Sequence, residues 1–340
     1  MKKSILMLGL AVAAMTSCTN DEVMEVNQNN LIKFESFVNK GTRTVAEVGK
    51  DNLTQFYVFG YHDGDTRPVF DNNYVKKEDG SWKNEESKDW RANRYYFGAY
   101  ANKATSDILN TTPSASFSSD GTLTIANYDV TDSTDDLIAA VKTVDNTGLL
   151  NNPVDLDFKH LLAQVKFEFA NNNDDYYMTV SPITFKAMPI GTCTIDKDGE
   201  IDWKLKSGLT ASDSITYTYN GTSRDEYIAA TKSFKSDSLL VLPVEIAATT
   251  CANFTIEFYE KVDGNYNKVQ EIEYKNVSLI GTQSNSDGDN VASWAPGYKY
   301  NYKAYFPINP SKIQFSVNTV EGWKDNTVDD NTTDNESVIF

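Results

Sequence analysis

From Leu31 onward apolar side chains recur at every second position, the period of a β-strand with one buried face. Ile32, Phe34 and Val38 share one face of a first strand. Val165, Phe167 and Phe169 alternate with Gln164, Lys166 and Glu168. Phe254, Ile256 and Phe258 alternate with Thr255, Glu257 and Tyr259. Tyr298, Tyr300, Tyr302, Ala304 and Phe306 form a longer stripe, and Ile313, Phe315 and Val317 a shorter one. Each predicts a strand with one side to the core and one to water. Two unbroken apolar runs, at 56–61 and 239–244, predict strands buried on both faces.

The punctuation agrees with this pattern. Asp79-Gly80, Asp198-Gly199 and Asp263-Gly264 each separate two strand-like runs, and Asp-Gly permits the positive φ of a tight hairpin. No stretch holds a 3.6-residue apolar period. The fold class is therefore all-β: two tandem antiparallel β-sandwich domains, with the boundary in the run Asn171-Asn172-Asn173-Asp174-Asp175. That divides the chain into residues 31–173 and 174–340.

Composition narrows the function classes. The chain has 340 residues and a net charge of −17, so nucleic acid and anionic lipid surfaces are poor partners. It carries 19 Tyr and 17 Phe, which fit half-buried pleated surfaces. Histidine occurs only as His62 and His160, and cysteine only as Cys18, Cys193 and Cys251. No zinc-ligand spacing is present, and no metal or cofactor is expected. His160 sits inside a strand pattern with no Ser, Cys or Asp motif beside it, so it reads as a core or interface residue; no catalytic residue is assigned and no enzyme is expected. Asp196-Lys197-Asp198-Gly199-Glu200 lacks the ligand spacing of a calcium loop and reads as a turn. Cys193 and Cys251 are expected as buried free thiols, with their pairing left open. Ser133 and Ser214 lie in Asp-Ser-Thr and Asp-Ser-Ile triplets that resemble O-glycosylation acceptors; Ser238 runs into a buried strand.

The N-terminus predicts a destination. Lys2 and Lys3 precede a short apolar run ending at Met15-Thr16-Ser17-Cys18, a pattern that resembles a bacterial lipobox. Residues 1–17 read as a lipoprotein signal peptide, Cys18 as the lipidated first residue, and polar residues 18–30 as a tether. Asp21 and Glu22, just after Cys18, either belong to an ordinary solvated linker or resemble the acidic signal that sends some lipoproteins to the cell surface; on that resemblance the expected location is the outer surface of the cell outer membrane, held there through the lipid anchor.

Further motifs then fall into a known order. Ile32-Lys33-Phe34 is followed by Gly41-Thr42-Arg43, and then by the strand Leu53-Thr54-Gln55-Phe56-Tyr57-Val58-Phe59-Gly60. Trp82 and Trp90 precede Tyr95-Tyr96-Phe97-Gly98-Ala99-Tyr100. Asp136-Leu137-Ile138-Ala139-Ala140, Leu156-Asp157-Phe158-Lys159-His160-Leu161-Leu162-Ala163 and Trp294-Ala295-Pro296-Gly297-Tyr298-Lys299-Tyr300 come after. Together these resemble the fimbrillin family of Bacteroidales, subunits of type V pili, from the lipobox almost to the end of the chain. The resemblance implies transthyretin-like sandwiches and a fimbria built from pilin subunits as mutual partners, serving adhesion to a host or bacterial surface ligand. It implies proteolysis after Arg43 with Thr44 as the new first residue, which releases the strand of Ile32, Phe34 and Val38 and opens a groove. Val338, Ile339 and Phe340 follow an acidic stretch at the C-terminus and either return to their own sandwich as an edge strand or enter the groove of a neighbour; the resemblance favours the second, a mobile donor strand. It does not separate stalk, anchor and tip subunits. The alternative is a non-polymerising surface lipoprotein that binds glycans or host ligands, with Trp82, Trp90 and Trp323 as candidate sugar-stacking rings.

Overall fold

The computed structural model describes residues 30–38, 53–102, 114–131, 135–146, 152–223, 225–283, 290–306 and 315–320. Among these the strands form four sheets. The first contains β1 (Phe34–Val38), β2 (Gln55–His62), β3 (Phe70–Glu78), β4 (Ser81–Asn84), β5 (Asn93–Ala101), β8 (Ile138–Asn146) and β9 (Val154–His160), in the order β1-β9-β8-β5-β2-β3-β4. Packed on one of its faces is a sheet of β6 (Ser114–Phe117), β7 (Leu123–Asp129), β13 (Ile190–Ile195) and β14 (Ile201–Leu205), in the order β14-β13-β7-β6.

The remaining strands form a sandwich. One sheet holds β10 (Ala163–Asn171), β16 (Ser233–Lys235), β17 (Leu239–Val241), β20 (Gly281–Gln283), β21 (Asn290–Val291), β22 (Lys299–Phe306) and β23 (Ser316–Val320). The other holds β11 (Tyr177–Val180), β12 (Ile183–Ala187), β15 (Ile215–Tyr219), β18 (Cys251–Val262) and β19 (Asn265–Ser278). Phe167, Phe169, Phe185, Tyr219, Phe254, Tyr302 and Phe306 fill the space between them. The all-β class is as the alternation requires. The 171–175 break is the turn from β10 to β11, and pairing runs across it: β13 joins β7, and β10 joins β22.

The turn chemistry follows the residues. Asp79 and Gly80 both have positive φ (50° and 79°), as do Asp263 and Gly264 (49° and 83°), which closes β3–β4 and β18–β19 as tight hairpins. At β13–β14 the Asp196 carboxylate accepts the backbone N–H of Asp198 and of Glu200, at 2.9 and 3.0 Å. The acidic run there is an Asx turn, and a metal is not needed to explain it.

Two glycines explain the aromatic motifs around them. A Cβ on Gly98 would lie 2.6 Å from the Phe117 ring, and one on Gly60 would lie 3.0 Å from Phe97. Each glycine is a seat for a ring packed on the sheet. β2 is buried along nearly its whole length, because Phe56 and Val58 face one core while Tyr57 and Phe59 face the sheet of β6 and β7.

Two expectations change. Pairing is parallel at β1–β9, β10–β22 and β20–β23, alongside the antiparallel ladders. The polar face of β10 is also covered, with Gln164 and Glu168 buried. Glu168 lies on a central strand, where Asn301 donates to it at 3.1 Å and Lys303 stands 3.4 Å away. Its neighbours replace the water that the alternation implied.

Candidate functional site

Segment 30–38 is the strand that closes the first sheet on itself. On one side β1 pairs with β9, in register from Phe34 opposite Val154 to Val38 opposite Phe158. On the other side Ile32 donates its N–H to Lys88 O at 2.8 Å, and Trp90 donates its N–H to Asn30 O at 2.9 Å. The Asn84 side chain donates to Ile32 O at 2.9 Å, and Leu31 bridges Asp89. The segment therefore lies between β9 and the residues just after β4, the two ends of the remaining sheet. Lifting it out would expose two unpaired backbone rows.

Its side chains anchor the core beneath. Ile32 and Phe34 are 1% and 2% exposed. The Phe34 ring makes edge contacts with Phe56, Phe70 and Phe97, with centroids 6.3, 5.4 and 5.6 Å away. Burial of each such side chain is worth about 1.5–3 kcal/mol, and favourable ring pairs add to it. The same core takes the tryptophans. Trp90 is buried edge-on against Tyr95 at 4.9 Å, and Trp82 packs on Phe56 at 4.9 Å. Neither ring is a free sugar platform, because the aromatic core around Phe34 claims both. Trp323, Cys18, Arg43, Thr44, Ser133, Ile313, Val338, Ile339, Phe340 and the side chain of Val38 lie outside the described residues.

A second constellation sits where β9 passes into β10. His160 Nδ1 and Asp136 Oδ2 are 2.8 Å apart, and both residues are buried. This partner was not legible in the sequence, since β8, a loop and most of β9 separate Asp136 from His160. The link between the strands is clamped as well. Leu161 N–H donates to Leu137 O at 2.9 Å, Gly297 N–H to Leu162 O at 2.8 Å, and Trp203 Nε1 to Leu161 O at 2.8 Å. The motifs at 136–140, 156–163 and 294–300 thus meet at one junction. Trp294 donates to the Tyr302 hydroxyl at 2.9 Å there. Both side chains are shut from solvent, and the pair ties the start of β8 to the end of β9.

Other candidate chemistry is accounted for locally. Cys193 and Cys251 are both free, the first buried and the second half-buried. Burial pushes the Cys193 thiol up to about 12, which keeps it protonated and unreactive. Ser238 is buried and Ser214 half-buried. Among the described residues no group of His, Cys, Asp or Glu could hold a metal ion, and no helix is long and apolar enough to cross a membrane.

The sequence profile of the fimbrillin-like family matches residues 42–323. The chain belongs to the fimbrillin-like family. Among solved structures, this fimbrillin-like chain resembles a fimbrial protein from Bacteroides vulgatus, with a TM-score of 0.59 and 17% identity over 87% of this chain and 100% of that one. It also matches a candidate cell adhesion protein from Bacteroides uniformis, with a TM-score of 0.43 and 16% identity over 87% and 99% of the two chains. A third match is a candidate cell adhesion protein from Parabacteroides distasonis, with a TM-score of 0.45 and 11% identity over 86% and 100%. Among curated proteins, none matches this chain. The first likeness establishes the shared fold; the family assignment rests on the sequence profile.

Proposed function

We propose that this fimbrillin-like chain is a structural subunit of a cell-surface fimbria, serves adhesion, and assembles by β-strand complementation after export as a lipoprotein. The observation that carries this reading is the seam around β1. A short strand, held by edge pairing on both sides and by Ile32 and Phe34, closes an otherwise complete sheet. An incoming strand of alternating apolar residues would restore the same backbone pairs and fill the same pockets. Its partners are then other pilin subunits, and cleavage after Arg43 would vacate the seam. The N-terminal sequence of the protein recovered from the cell surface tests this. Thr44 as first residue is expected for a processed subunit, and lipid-bearing Cys18 for an anchor or an uncut lipoprotein. Size exclusion after limited trypsin treatment should give ladders; a chain that stays monomeric favours the non-polymerising alternative.

The anchor and the tail carry expectations of their own. Labelled palmitate should enter the wild-type protein and not Cys18→Ala, and the variant precursor should remain unprocessed or misplaced. Absence of label from the wild type would remove the anchor from this account. Deletion of residues 336–340, which include Val338, Ile339 and Phe340, should abolish ladders while changing monomer stability by less than about 1 kcal/mol. Undiminished ladders from the deleted protein would exclude this segment as the donor.

A further inference from the structure

We propose that the outer face of β11, β18 and β19, together with residues 221–223 and 225–228, is a binding site for neutral carbohydrate. The inward row of this sheet, with Met178, Phe254, Ile256 and Phe258, belongs to the core. The outward row should then be polar and unremarkable. Instead four tyrosines gather on it. Tyr177 and Tyr259 are cross-strand partners on that face, and Tyr266 lies beyond them on β19. Tyr227 arrives from the loop and stacks on Tyr266, with centroids 3.8 Å apart. Tyr259 meets Tyr227, and Tyr177 meets Tyr266, each edge-on at 4.9 Å. All four are half-buried.

Beside this cluster lies a groove of about 520 Å³, lined by Tyr227 and Tyr259 and by polar groups including Thr179, Ser181, Asp225, Glu257 and Glu271. That falls within the range of about 300–1,000 Å³ typical of small-ligand sites. The groove is held in shape. Thr222 exchanges hydrogen bonds with Val180, its N–H to Val180 O at 2.9 Å and its hydroxyl accepting Val180 N–H at 3.1 Å. Gly221 permits that approach, since a Cβ there would lie 2.1 Å from Val180 O. Glu257 accepts from Tyr259 and from Lys268 Nζ at 3.1 Å, and Lys268 also reaches Glu271 at 2.6 Å. Those donors, the Tyr259 hydroxyl first, keep the Glu257 carboxyl below its usual range, so it stays an acceptor at neutral pH.

This inventory matches a sugar. A pyranose offers an apolar C–H face for tyrosine and a rim of hydroxyls that donate to carboxylates and accept from hydroxyl donors. The groove's acidic residues and the net charge of −17 select against sulfated or sialylated glycans. The site lies on a different sheet from the β1 seam and binds without polymerisation.

The test is a glycan microarray of neutral and anionic glycans, probed with the uncleaved full chain and with Tyr227→Ala and Glu257→Gln, each checked by thermal melting. Retention of at least one neutral glycan is expected, with apparent affinity reduced about tenfold or more in each variant. Glu271→Gln replaces any variant that does not fold. No neutral glycan bound, binding confined to anionic glycans, or binding unchanged in the folded variants would overturn the proposal. Because the assay reads the monomer, such a failure leaves the strand-complementation reading standing, and loss of ladders leaves this one standing.

Discussion

Phe34→Ala should destabilise the protein by about 3–5 kcal/mol, the range for removing a fully buried aromatic side chain. The expectation rests on position as much as on size. The ring is 2% exposed and touches Phe56, Phe70 and Phe97, which come from three different strands. With the ring gone those three face a void, and among its described side chains the segment keeps Ile32, beside its edge pairing. A typical domain has about 5–15 kcal/mol in total, so the loss is a large part of it. Urea unfolding of the uncleaved chain measures it. Glu35→Ala, on the exposed side of the same strand, should stay within about 0.5 kcal/mol. Matching midpoints for Phe34→Ala and wild type would show that this strand does not support the core, and strand exchange would lose its energetic basis. If the seam is the assembly site, Phe34→Ala should also speed tryptic release of the N-terminal segment, because a weaker strand opens more often.

The second large effect belongs to the junction. Asp136→Ala removes one member of a buried pair and leaves a void beside His160, which costs about 2–3 kcal/mol when a buried polar group loses such a partner. Asp136→Asn keeps the shape and a hydrogen-bonding oxygen, so it should cost less, about 1–2 kcal/mol. Melting of the three proteins side by side gives the order. Equal midpoints for wild type and Asp136→Ala would mean that the contact is incidental. Trp90 lies in the first core and Trp294 in the second. Unfolding followed at each separately shows whether the junction couples them. Loss of coupling in Asp136→Ala alone is the expected pattern, since a large chain with more than one core need not unfold in one step.

The alternation at Phe254, Ile256 and Phe258, and along Tyr300, Tyr302, Ala304 and Phe306, gave the correct buried faces because it is a local property: side chains of a strand point to opposite sides whatever the strand pairs with. The Asp-Gly hairpins at 79–80 and 263–264 were legible for the same reason, since positive φ is a demand of the turn itself. The burial of Ile32 and Phe34 belongs to this class. Which partner a strand takes is a different kind of fact. Nothing within residues 34–38 specifies a parallel neighbour at Val154–His160, and nothing in the run at 190–195 specifies β7. Those choices minimise exposed edges and fill shared volume across the whole chain. Burial of Glu168, the union of Asp136 with His160, the loss of Trp82 and Trp90 to the core, and the meeting of Tyr227 with Tyr266 were likewise settled only when distant segments came together. The sequence by itself determined which residues turn inward and where the chain reverses. The tertiary structure decided what they meet, because contact between distant segments depends on the packing of all of them at once.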